Sequence, residues 1–128
     1  MSRISIIIPT YNRAQLIGMT LDSIFAQTLP PYEVIVVDDG SSDGTKEILE
    51  THYGNRIIYL INKGKGPGAA RNTGLSVATG NYIKFFDSDD WMSPNTLETQ
   101  LKQTNQELKD IKTKFEELEN QIQKPIKN

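Results

Sequence analysis

Apolar residues fall along this chain in short runs that alternate between two periods. Ile4–Ile8 is a β-branched run, interrupted only by Ser5 and closed by Pro9, the pattern of a strand buried on both faces. Ala14–Thr28 then spaces Ile17, Leu21, Ile24 and Phe25 as one helix face, stopped by Pro30-Pro31. Glu33–Val37 reads as a second buried strand, followed by the turn Asp39-Gly40-Ser41-Ser42. Asp43–His52 is a short helix with Ile48 and Leu49 inward and Ser42 as its N-cap. Ile57–Ile61 is a third strand. The glycine-rich stretch Gly64–Gly68 leads into a helix over Ala69–Ala78 with Gly80 as its stop, and Tyr82–Phe86 is a fourth strand.

Four strand–helix alternations with short links predict an α/β fold with a mainly parallel, doubly wound, Rossmann-like sheet. Right-handed crossovers put every strand-to-helix turn on the carboxyl edge, and the expected strand order is 3-2-1-4. The switch point then lies between strands one and four. Pro9-Thr10-Tyr11, Asp38-Asp39-Gly40 and Asp87–Asp90 converge there.

After residue 96 the pattern changes to heptads. Leu101, Leu108, Phe115 and Ile122 form one seam, and Leu97, Thr104, Ile111 and Leu118 form the second, with Pro125 closing the run. The division expected is residues 1–96 as one domain and 97–128 as an amphipathic helix with a short tail. That helix either covers its own sheet or pairs with a second copy as a coiled coil, giving a homodimer.

At 128 residues the chain supports about one domain. Its lack of cysteine excludes a disulfide scaffold, a thiolate zinc site and a Cys nucleophile, and one histidine argues against a Ser-His-Asp triad or a His-based metal site. That histidine, His52, falls at a helix end, where a surface position is expected. The apolar runs are too short to span a bilayer. The opening Met-Ser-Arg enters a strand without a signal peptide, so a cytoplasmic protein, either free or peripheral to the membrane, is expected.

The charges are more informative by position than by sum. Fourteen basic and sixteen acidic residues give −2, and residues 1–97 hold eight basic and ten acidic ones. Six of those ten are Asp38, Asp39, Asp43, Asp87, Asp89 and Asp90. Basic residues are not interleaved with aromatics, so no nucleic-acid partner is expected. Carboxylates gathered on a near-neutral domain suit a divalent cation or polar hydroxyls.

Asp87-Ser88-Asp89-Asp90 after a strand can hold Mg²⁺ or Mn²⁺ while leaving positions open for phosphate oxygens. Trp91 stands where an aspartyl-phosphatase motif would place Thr or Val. The run from Asp39 to Glu50 imitates an EF-hand loop, but a strand precedes it and Lys46 occupies an apolar position. Asp39 is better read as an acceptor for a base or ribose. Lys63–Gly74 is neither a Walker A loop nor a dinucleotide fingerprint. Its glycines permit close backbone approach, and Arg71 can reach a phosphate or stack on a base.

Together Ser5–Arg13, Val36–Thr45, Gly68–Gly74 and Phe86–Asp90 resemble, in order and spacing, the motifs of family 2 glycosyltransferases of the GT-A fold. The resemblance covers residues 4 to about 97 and implies the nucleotide-sugar-binding half of such an enzyme. It implies a nucleotide-diphospho-sugar ligand, a UDP-sugar being favoured, bound through Pro9, Thr10, Tyr11, Asp39, Arg71 and Asp89. It also implies Mn²⁺ or Mg²⁺ on Asp90, with Asp87 as the competing ligand. The chemistry implied is inverting transfer to an acceptor hydroxyl, with the catalytic base expected beyond the C-terminus and the chain expected to be truncated. The alternative is a catalytically incomplete nucleotide-sugar-binding or coiled-coil assembly module.

Overall fold

The structure, a computed structural model, describes residues 2–123. It contains β1 (Ile4–Thr10), α1 (Ile17–Phe25), β2 (Glu33–Asp38), α2 (Thr45–His52), a 3₁₀ turn at Gly54–Arg56, β3 (Ile58–Ile61), α3 (Gly66–Leu75), β4 (Tyr82–Phe85) and α4 (Thr96–Gln123). The four strands form one parallel sheet in the order β3-β2-β1-β4, as expected.

Alternate residues of β1 and β2 serve opposite faces. Ile4, Ile6, Ile8, Val34 and Val36 pack with Ile17, Leu21 and Ile24 of α1, Leu49 of α2, and Met92 and Leu97. Ile7, Ile35 and Val37 pack with Ala70 of α3 on the other face. Contact there is close. A Cβ at Gly74 would lie 2.5 Å from Ile7 Cγ2, so glycine lets α3 rest directly on β1.

Pro9 does not end β1, because Pro9 and Thr10 still pair with Val37 and Asp38. The carbonyls of Arg3 and Ile7 accept from β4 and its flank, whereas those of Ile4 and Thr10 accept from the β2 side. Pro9 therefore faces the β4 side, beyond the last β1–β4 pair at Ile7 and Phe85, where no ladder donor is required.

Three helices differ from expectation in their bounds or caps. Helix α1 is shorter at both ends: the Arg13 carbonyl accepts from Leu16 and Ile17 in a preceding turn, and the Thr28 N–H donates to Pro94. Helix α3 starts three residues early because Pro67 fits its first turn. Ser42 does not cap α2; left-handed Gly44 is the N-cap, and the Asp43 carboxylate accepts from the Thr45 N–H.

At the amino edge, Glu33 joins three segments: its Oε2 accepts from Ser5 Oγ and from the Thr79 N–H, both at 2.6 Å. Helix α4 divides in two. Leu97 is buried, Leu101 packs against the same core, and Tyr82 donates to Asn105 Oδ1 at 2.6 Å. Beyond this, Leu108, Ile111, Phe115, Leu118 and Ile122 are exposed. Pro125 lies outside the described residues. Among the described residues, no helix is long and apolar enough to cross a membrane.

Candidate functional site

The carboxyl edge carries a cleft of about 350 Å³ at the β1/β4 switch point. Pro9, Thr10, Tyr11 and Arg13 come from the end of β1 and its turn, Asp39 from the end of β2, and Asp87, Ser88 and Asp89 from beyond β4. Helix α3 contributes Gly66, Pro67, Ala70 and Arg71. Seven of the eight residues proposed from sequence thus line one wall or another of a single cavity. Asp90 does not; its Oδ1 accepts from the Trp91 N–H at 2.9 Å.

The Asp38–Asp39 pair separates into two roles. Asp38 is buried, with Oδ1 accepting from the Ser41 N–H and Oγ and Oδ2 accepting from the Tyr59 hydroxyl at 2.6 Å. Burial and this bond to a carboxylate push the Tyr59 phenol well above its usual pKa. Asp39 instead reaches the cleft, where Oδ1 accepts from Asn62 Nδ2 at 2.9 Å and Oδ2 from the Gly66 N–H at 3.0 Å. Asn62 also accepts from the Gly64 N–H and from Thr73 Oγ1. The glycine-rich turn is therefore held by polar side chains.

The turns after β1 and β2 are clamped to each other. Asn12 adopts a left-handed φ of 51°, tolerable for Asn; its N–H donates to Ser41 Oγ and its Oδ1 accepts from the Ser42 N–H. Asp43 accepts from Thr45 Oγ1 and from the Ala14 N–H. These bonds, that from the Thr45 hydroxyl foremost, hold its carboxyl below the usual pKa despite partial desolvation. Asp39 and Asp43 are committed to different partners, which disposes of the EF-hand arrangement.

The acidic turn is supported from beneath. The buried Thr20 hydroxyl of α1 lies 3.0 Å from the Ser88 carbonyl and 2.6 Å from that of Asp90, donating its single proton between them. Across the mouth, Arg13 Nη2 approaches Asp89 Oδ2 at 3.7 Å. Thr10 Oγ1 and Arg13 Nε are buried without a partner among the described residues, so this wall retains unused hydrogen-bonding capacity. The Arg71 guanidinium sits 5.9 Å from the centre of the Phe85 ring.

Sequence reasoning missed Arg13, Asn62, Thr20 and Tyr59. Asn62 had a local signal, a polar amide immediately after a strand at the carboxyl edge. Thr20 and Tyr59 act through contacts 68 and 21 residues distant, which no local pattern carries. Among the described residues, no three carboxylate or imidazole groups gather as a self-sufficient metal cage. Asp87 and Asp89 are exposed on the cleft wall, an arrangement that suits a cation completed by ligand oxygens.

Comparison with known proteins agrees with this geometry. The model of glycosyl transferase family 2 matches residues 5–113. Glycosyltransferase GlyA of Streptococcus pneumoniae is 42% identical over 99 residues, covering 76% of this chain and 14% of that protein. The S. aureus TarS 1-349 structure in complex with UDP has a TM-score of 0.70 at 37% identity, covering 77% of this chain and 31% of that one. The mannosyltransferase PcManGT of Pyrobaculum calidifontis, in complex with GDP-Man and Mn²⁺, has a TM-score of 0.62 at 38% identity, with coverages of 70% and 28%. The chain spans 14–17% of the length of the first relatives it matches. With the family match running from β1 into α4, across every element that lines the cleft, the chain belongs to glycosyl transferase family 2.

Proposed function

We propose that the cleft binds the nucleotide-diphosphate part of a sugar donor, and that the protein containing this chain transfers the sugar to an acceptor hydroxyl with inversion. The observation that carries this reading is the convergence of Asp39, Arg71 and the Asp87–Asp89 turn on one cavity at the switch point. Asp39 faces the nucleoside, with Pro9, Thr10 and Tyr11 forming the wall against it. Arg71 lies beside the base and phosphates. The TarS complex with UDP and the PcManGT complex with GDP-Man and Mn²⁺ support a nucleotide ligand of this class.

A Mn²⁺ or Mg²⁺ ion would be held at the acidic turn by Asp87 on the cleft wall, with Asp90 as the competing ligand and Asp89 toward the ribose or diphosphate. When bound, the cation neutralises charge developing on the departing diphosphate. The chain's own residues orient the leaving group: Arg13 and Arg71 supply cationic donors, and the clamped turns keep the walls in place before the ligand arrives. Asp39 is held by Asn62 and Gly66, and Asp87 and Asp89 face the diphosphate, so none of the three is assigned as the base.

Titration calorimetry with UDP and with GDP, each with and without Mn²⁺, tests this reading on the chain as it stands. Saturable binding strengthened by Mn²⁺ and weakened at least about tenfold by Asp39→Ala is the expected result, given about 1.5–3 kcal/mol for a hydrogen bond to a charged group. Absence of binding of either nucleotide at millimolar concentration with Mn²⁺ present would sink it.

A further inference from the structure

The heptad seam of α4 changes its covering halfway along. Leu97 and Leu101 turn into the chain's own core, and Thr104 lines a cavity of about 150 Å³ together with Ile4 and Tyr82. From Leu108 onward the seam leaves the sheet, with exposures from 51% at Leu108 to 82% at Ile122. Between Asn105 and Gln123 every apolar residue falls on that seam: Leu108, Phe115 and Ile122 at a, Ile111 and Leu118 at d. A stripe confined to a and d is the narrow seam of a coiled coil rather than the broad face of a helix lying on a sheet.

We propose that α4 from Leu108 to Ile122 pairs with the same segment of a second copy as a parallel, in-register, two-stranded coiled coil. The flanking charges favour that occupant. In parallel register each g residue faces the e residue five positions on in the partner, which sets Glu107 against Lys112 and Lys114 against Glu119. A slip of one heptad sets Glu107 against Glu119 and Lys114 against Lys112. An antiparallel overlap centred on Ile111 against Phe115 sets Lys112 against Lys112 and Lys114 against Lys114. The in-register parallel arrangement uses all five exposed apolar positions and pairs all four charges. The pairing segment is short, so association is concentration-dependent. This inference is independent of the ligand proposed for the cleft.

Sedimentation equilibrium of the full chain tests it, with the mass doubling from the dilute to the concentrated end of the series. Charge reversal is the decisive arm because it touches only exposed positions. Lys112→Glu with Lys114→Glu is expected to be monomeric, as is Glu107→Lys with Glu119→Lys, while an equimolar mixture of the two regains the doubled mass. Leu108→Cys, introduced into this cysteine-free chain, is expected to cross-link between copies under copper–phenanthroline oxidation. A monomer at every concentration, a mixture that stays monomeric, a trimer or tetramer mass, or a dimer that Leu108→Cys does not cross-link would each overturn the proposal.

Discussion

Asp38 and Asp39 are adjacent in the chain and work on opposite sides of the end of β2. Asp38 Oδ2 accepts the Tyr59 hydroxyl within the protein, and Asp39 Oδ2 accepts the Gly66 N–H at the cleft wall. The two-residue period of a strand separates them, so one carboxylate is buried against Tyr59 and the other lies on the cleft wall, where it braces Asn62 and Gly66.

Substitutions should separate those roles. Tyr59→Phe leaves a buried carboxylate oxygen unpaired and is expected to cost about 1–3 kcal/mol in urea denaturation, with nucleotide affinity nearly unchanged. Asp39→Asn is expected to show the reverse, a small stability change with most nucleotide affinity lost. Equal effects on both properties from both variants would contradict the division.

Arg13 and Asp89 have side chains 41% and 46% exposed and stand 3.7 Å apart, so their pair is worth no more than about 1 kcal/mol. Arg13→Ala should therefore barely move the melting temperature. Its expected effect is on UDP binding, weakened roughly tenfold at low salt for the loss of one charge-assisted contact and less so at high salt. A large fall in melting temperature would show that Arg13 serves the fold instead.

Thr20→Val keeps the shape of a buried side chain and removes the proton shared by the Ser88 and Asp90 carbonyls. The expected loss is about 1–3 kcal/mol, with faster amide exchange confined to the Asp87–Asp90 turn. Uniform acceleration across β1 and β2 would argue against a local prop.

Gly74→Ala should reverse the usual sign. An alanine in a helix interior normally gains about 1 kcal/mol over glycine, but here its Cβ would meet Ile7 Cγ2 at 2.5 Å. Overpacking of about 1–3 kcal/mol wins, and net destabilisation is expected. Combining it with Ile7→Ala should cost less than the sum of the two, measured by denaturant midpoints.

Acid sensitivity should trace to Glu33 and Asp43. Burial works to raise the Glu33 pKa, and the bonds from Ser5 and Thr79 outweigh it; the Thr45 hydroxyl leads the lowering at Asp43. Both folded-state values are therefore depressed. Their contribution is full above the ordinary values of 4.5 and 3.8 and is lost as pH falls through the lower folded ones. Urea midpoints should fall less steeply below about pH 4.5 in the Glu33→Gln, Asp43→Asn double variant.

The strands and their order were legible because Ile4–Ile8, broken only by Ser5, and Val34–Val37 are β-branched runs joined by crossovers of one hand. The cleft was legible because that topology alone gathers Thr10, Asp39 and Asp87 at one edge. Helix ends were less so: Ala14 and Thr28 have the composition of helix residues, yet their N–H groups are taken by Asp43 and Pro94. Asp39 was already distinguished from Asp38 as the acceptor; what stayed hidden was what holds Asp38, since that depends on Tyr59, a partner 21 residues away.

The cleft walls are braced separately, one by Asn62 and Gly66 through Asp39, the other by Thr20 beneath the acidic turn, with Arg13–Asp89 across the opening. The bracing and the bridge are thus of unequal strength. Arg13 and Asp89 meet only through a 3.7 Å contact between two solvent-exposed side chains, so an anion can draw Arg13 away from Asp89 at a cost of no more than about 1 kcal/mol while both walls stay braced.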